Sequence, residues 1–227
     1  MASVRIDIVS IGTLSRNRLW GESGEVRTPH ATTTLVRCEK RNILVNPALP
    51  GQILGARLRE RTGMGPEAID TIFLTSLRAD HRGGVAAFPD AKVYAHELEI
   101  QHAQLQLDEF LERTPEEELD AEVIAREKAF LKNIEPADDK IAPHVDLFPL
   151  FGYTPGACGL LVLSPTMTTL ITGDSVASQD HFLAGQVLPD AMNIQAAQEA
   201  LAEAYEIADV IVPGRDNLFL NPRMQGL

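Results

Sequence analysis

The sequence predicts an α/β fold, and three observations carry that expectation. Between Ala31 and Ala95 the apolar runs follow the order hairpin, helix, strand, loop, strand, which belongs to α/β chains rather than to all-β ones. Strands followed by a helix recur between Val145 and Val212, which suggests two similar halves packed sheet on sheet. The 227 residues, 44% of them hydrophobic, are enough to bury a sizeable core as a single domain over residues 1–227.

Val4 to Ile11 alternates and reads as a first strand, and the polar stretch Ser15 to Thr28 reads as a loop near the mouth of any cleft. Ala31 to Arg37 and Asn42 to Val45 form a hairpin through Cys38-Glu39-Lys40-Arg41. Gly51 to Arg61 is an amphipathic helix stopped near Gly63, Thr71 to Leu74 a buried central strand, and Ala91 to Ala95 a short strand. A helical period holds from His96 to about Leu107. Thr114-Pro115-Glu116-Glu117 then has the form of a capping box opening a second helix to about Ile134, with a solvated acidic face. Pro136 and Pro143 bracket a loop. Strands follow at Val145 to Leu150, Gly159 to Leu163 and Thr168 to Thr172. Asn193 caps an Ala-rich helix to about Ala208, and Asp209 to Val212 is the last strand.

A formal net charge of −12 argues against nucleic-acid and anionic-membrane partners, because both reward clustered Lys and Arg. No apolar run approaches the roughly 18 residues of a membrane span. Two cysteines allow at most one bridge, and no basic-then-apolar leader opens the chain, so a reducing cytoplasm is the expected compartment.

The chemistry centres on Thr71-Ile-Phe-Leu-Thr-Ser-Leu-Arg-Ala-Asp-His81, a strand running into a polar loop with Arg82-Gly83-Gly84 behind it. This stretch resembles the metal-binding signature of the metallo-β-lactamase superfamily, a strand ending in Thr-His-x-His-x-Asp-His and then Gly-Gly. Ser76 and Arg78 stand at its first two His positions, while Asp80 and His81 are kept. The resemblance extends from about Ala31 to Phe219. Leu44-Val45-Asn46-Pro47 looks like a strand end where the family has Asp in place of Asn46. Tyr153-Thr154-Pro155-Gly156-Ala157-Cys158-Gly159 looks like the Thr-Pro-Gly-His turn with Ala157 for its His. Leu170-Ile171-Thr172-Gly173-Asp174 keeps the metal-bridging Asp, and Val212-Pro213-Gly214-Arg215 looks like the last Pro-Gly-His with Arg215 for its His. The resemblance implies a four-layer αββα sandwich with these loops at one cleft.

It also implies that the first metal site has no imidazole left, while the second retains only Asp80, His81 and Asp174. Catalytic zinc normally needs three protein donors plus water, and a guanidinium stays protonated and cannot donate. A divalent ion about 5 Å from one Arg costs about 6–7 kcal/mol of Coulomb repulsion at an effective dielectric near 20. Arg78 and Arg215 facing Asp80 and Asp174 therefore read as substitutes for metal charge. The expected function is a non-catalytic or repurposed member of the superfamily, without cofactor, whose cleft binds a small anionic molecule through Arg78 and Arg215. The alternative is a mononuclear hydrolase in which Asp80, His81 and Asp174 hold one Zn, Fe or Mn ion, Asp80 doubling as the catalytic candidate, and attack an ester or lactone. A third reading makes Ser76 or Cys158 a nucleophile with His81 as base; against it, a Cys beside glycines is commonly a small hydrophobe. His30, His144 and His181 are loop histidines able to supply a ligand from outside the motif. The sequence leaves the oligomeric state open.

Overall fold

A computed structural model describes residues 4–226. Two six-stranded sheets lie face to face. The first contains β1 (Arg5–Ser10), β2 (Thr33–Cys38), β3 (Arg41–Val45), β4 (Thr71–Leu74), β5 (Lys92–Ala95) and β6 (Ile134–Pro136) in that spatial order. The second runs β12 (Phe219–Leu220), β11 (Val210–Pro213), β10 (Thr168–Gly173), β9 (Cys158–Leu163), β8 (Val145–Pro149), β7 (Lys140–Ala142). β3 and β4 are parallel, as are β10 and β11, so both pairs end on the same side of their own sheet.

Three apolar layers hold the sandwich. Val36, Ile43, Val45 and Phe73 meet Val145, Leu160, Val162, Ile171 and Val212 between the sheets. The outer face of the first sheet is covered by α1 (Gly51–Thr62), α3 (Glu97–Arg113) and α4 (Ala121–Lys132), through Leu54, Leu58, Ile100 and Leu131. The outer face of the second is covered by α6 (Ile194–Ile207), whose buried stripe Ala197, Ala200, Leu201 and Ala204 has the spacing of one helix face. This is the αββα arrangement expected from the sequence.

Local readings needed correction in three places. Thr114 does not cap the second acidic helix; Pro115 opens a single 3-10 turn over Glu116–Glu118, and Asp120 caps α4 by accepting from Glu122 N at 2.9 Å and Val123 N at 3.1 Å. The segment between Pro136 and Pro143 is strand at both ends, because β6 extends the first sheet and β7 the second. Short elements were not anticipated: α2 (Ala79–Arg82), α5 (Gln179–Ala184) and β12 are too brief to show a period.

Candidate functional site

The four turns read as site motifs converge at one edge of the sandwich. The backbone ties them together: Cys158 N donates to Thr75 O at 3.1 Å and Gly214 N to Val176 O at 2.9 Å, while Ala31 N donates to Asp80 O at 2.9 Å and Thr32 N to Gly214 O at 2.7 Å, so the residues before β2 link the first turn to the last. Gly84 N reaches Pro47 O at 2.7 Å. Gly173 adopts φ 55°, and a Cβ there would collide with the Thr75 hydroxyl, so only glycine lets β10 deliver Asp174 this close to β4.

Arg215 is buried and sits among the retained acidic groups. Its Nε donates to Asp174 Oδ1 at 2.7 Å and its Nη2 to Asp174 Oδ2, a fork-to-fork pair. Nη1 lies 2.7 Å from Asp80 Oδ2, an ion pair turned off the hydrogen-bond direction. Nη2 is also 3.2 Å from His81 Nε2, while His81 Nε2 is 3.0 Å from Asp174 Oδ2. A carboxylate can only accept, so the imidazole donates there. Burial would push the Asp174 carboxyl up, but Arg215 and His81 outweigh it and hold it well below the usual range. Burial likewise works against the Arg215 charge, and Asp174 and Asp80 more than restore it.

The chain of contacts continues behind His81. Its Nδ1 faces Thr75 Oγ1 at 3.3 Å, and Thr75 is gripped by Asn46, whose Nδ2 donates to that hydroxyl at 2.9 Å and whose Oδ1 accepts Thr75 N at 3.0 Å. Asn46 has φ 48°, a left-handed conformation Asn tolerates. The amide thus supports the imidazole through Thr75, without the charge an Asp would bring.

Arg78 departs from expectation. It pairs with neither Asp80 nor Asp174; it lies over the buried Tyr153 ring at 5.0 Å and meets Asp190 at 3.1 Å, Arg78 and Asp190 both being half exposed. β4 ends before it and α2 starts after it, and its own backbone is extended. Ser76 is buried and accepts from Arg78 N at 3.3 Å, and Ala157 is buried with no donor. Beneath these three lies Glu99, a residue the sequence reading missed. Its Oε1 accepts Leu77 N at 2.9 Å, and its Oε2 accepts Thr154 Oγ1 at 2.7 Å and Gly156 N at 3.2 Å. One carboxylate therefore ties together the two turns that carry Ser76, Arg78 and Ala157. The available signal was position: Glu99 falls on the stripe of Ala103 and Leu107, facing the core.

The nucleophile reading fails on placement. Cys158 is fully buried, and burial pushes its thiol up to about 12. His81 contacts Thr75, Asp174 and Arg215 rather than Ser76 or Cys158. Cys38 is a separate free thiol. His30 is taken up by the carbonyls of Thr28 and Ile11, and His96 caps α3. His181 does reach the site: buried, with Nδ1 2.8 Å from Ser178 Oγ and its pKa lowered mainly by burial, it lines a cavity of about 400 Å³ together with Arg78, Asp80, Tyr153 and Arg215. Ser15, Arg16, Arg18, Leu19 and Glu25 of the loop Ser15 to Thr28 line it as well. A second cavity of about 230 Å³ adjoins, and Arg78 and Asp190 line both.

The residues present do not fit the family's metals. An ion bound by Asp80 Oδ2, His81 Nε2 and Asp174 Oδ2 would need the space of Arg215 Nη1 and Nη2. Among the described residues no group of three or more His, Cys, Asp or Glu side chains is arranged to hold one.

Similar structures share the fold at low identity. A protein of Thermotoga maritima assigned to the metallo-β-lactamases superposes with a TM-score of 0.69 at 17% identity, covering 96% of this chain and 99% of that one. The dizinc quorum-quenching lactonase AidC, solved with the product N-hexanoyl-L-homoserine, gives 0.62 at 18% identity over 78% and 67% of the two chains. AiiA of B. thuringiensis, with N-decanoyl-L-homoserine bound, gives 0.59 at 18% identity over 89% and 87%. No curated protein sequence matches the chain. No helix among the described residues is long and apolar enough to cross a membrane. The family model of the metallo-β-lactamase superfamily matches residues 27–215, and the chain belongs to that superfamily.

Proposed function

We propose that this chain is a metal-independent member of the superfamily, in which Arg215 supplies the positive charge of the second metal and the cleft binds a small molecule instead of hydrolysing one at a metal centre. The observation that carries this reading is the guanidinium seated on Asp174, against His81 and beside Asp80. Hydrolysis in the family's manner requires water with its pKa lowered toward 7 by an ion, and Arg215 competes for each donor such an ion would use. Asp174 and Asp80 already offset the charge of Arg215, so the ligand's charge falls to other residues of the cavity wall.

The test is calorimetric titration with zinc of the chain and of a variant carrying Ser76→His, Arg78→His, Ala157→His and Arg215→His. The unaltered chain is expected to take up no zinc at micromolar concentration, and the variant to bind it, because the turns that aim the four side chains are intact. Stoichiometric uptake of one ion by the unaltered chain would overturn the reading in favour of a mononuclear hydrolase using Asp80, His81 and Asp174.

A further inference from the structure

Arg78 differs from Arg215 in having an exchangeable partner. Its guanidinium is pre-oriented on the Tyr153 ring, yet its counter-ion Asp190 is half exposed, as is Arg78 itself. Solvent screens such a pair, and a ligand can replace one side of it. The pair also lines both the 400 Å³ and the 230 Å³ cavities.

Resting on the metal-independent reading above, we propose that Arg78 is the recognition residue of this cleft and that it takes a small monocarboxylate with an uncharged, largely apolar body, the carboxylate displacing Asp190. The planar fork of a guanidinium matches a carboxylate in two parallel hydrogen bonds. The lining of the larger cavity presents Arg16, Arg18, Arg78 and Arg215 against Glu25, Asp80 and Asp190, a surplus of one positive charge. A single negative charge neutralises that surplus; a phosphate dianion or a dicarboxylate overshoots it. Leu14, Leu19, Val187 and Leu188 line the same cavity and offer contact to an apolar body. Asp190 and Arg78 also line the second cavity, where Leu77, Ala103 and Met192 extend the apolar surface.

The experiment is an NMR titration of the amide-labelled chain with hexanoate and benzoate, and separately with inorganic phosphate. Both monocarboxylates are expected to bind saturably, shifting amides around Arg78, Tyr153 and Asp190, and phosphate to bind at least tenfold more weakly. Arg78→Ala is expected to weaken hexanoate about tenfold or more, and Arg78→Lys to recover only part, since an ammonium lacks the fork. Asp190→Asn, which removes the competing carboxylate and leaves the fold's buried groups untouched, is expected to tighten binding several-fold. Failure of both monocarboxylates to bind, equal binding of phosphate, or a neutral or weakening effect of Asp190→Asn would overturn the proposal. Measured metal content separates the two levels: a metal-free chain that ignores hexanoate sinks only the ligand class, whereas a stoichiometric ion sinks the reading beneath it.

Discussion

The two halves of the cleft answer the same substitution problem in opposite ways. Around Arg215 the acidic residues of the family pattern persist, and they are locked into a buried cluster by a guanidinium that bonds Asp174 twice and meets Asp80 at 2.7 Å. Around Arg78 the pattern's neutral imidazoles are replaced by Ser76, Ala157 and an arginine that turns outward to Asp190. The difference follows from charge. Deleting a neutral ligand leaves nothing behind, whereas a buried carboxylate without its cation leaves an uncompensated charge, so only the carboxylate side needs a fixed positive replacement.

Arg215→Ala should therefore be the most damaging single change. Asp174 would be left buried and unpaired, a loss of about 3–5 kcal/mol read by denaturant unfolding. Adding Asp174→Asn should recover part of it, since the two residues share one interaction. If Arg215→Ala unfolds with unchanged stability, the cluster is not what holds this side of the cleft.

Glu99→Ala should come next, at about 2–3 kcal/mol, because it strands Leu77 N, Gly156 N and the Thr154 hydroxyl without their acceptor. Glu99→Gln, which keeps one acceptor oxygen, should cost less. Equal losses for the two variants would mean that shape rather than hydrogen bonding sets the role of this residue.

Acid should sharpen the contrast. The Asp174 carboxyl is depressed in the fold relative to about 3.9 in the unfolded chain. Its stabilising contribution is thus full above that value and is lost as pH falls below it, toward the folded value. Urea midpoints measured from pH 6 down to pH 3 should drop more steeply for the unaltered chain than for the Arg215→Ala, Asp174→Asn double variant. Parallel curves would assign the acid sensitivity to other carboxylates.

Arg78→Ala should be the mildest, below about 1 kcal/mol, since its partner is half exposed and screened. A loss as large as that of Arg215→Ala would erase the distinction between the two halves.

What the sequence made legible tracks what is encoded locally. The turns Arg82-Gly83-Gly84, Pro155-Gly156, Gly173-Asp174 and Pro213-Gly214 each carry their own backbone constraint, and with them the sandwich and the meeting of Asp80, His81, Asp174 and Arg215 could be anticipated. The direction of a long side chain is not encoded that way. The motif pattern predicts Arg78 on Asp80 or Asp174, but its side chain lies on Tyr153, about 75 residues on, and meets Asp190 beyond it. Glu99 escaped notice because an acidic residue in the first turn of a helix reads as favourable to the helix dipole, and only the packing of Leu77, Thr154 and Gly156 around it makes it a buried acceptor. The false capping box at Thr114 shows the converse: a local motif gave way when Asp120, a few residues on, capped α4 itself.

Elemental analysis of the chain purified without chelator or added metal tests most directly whether Arg215 stands in the place of an ion. Well below one divalent ion per chain is the predicted result; one or two zinc, iron or manganese ions per chain would contradict it.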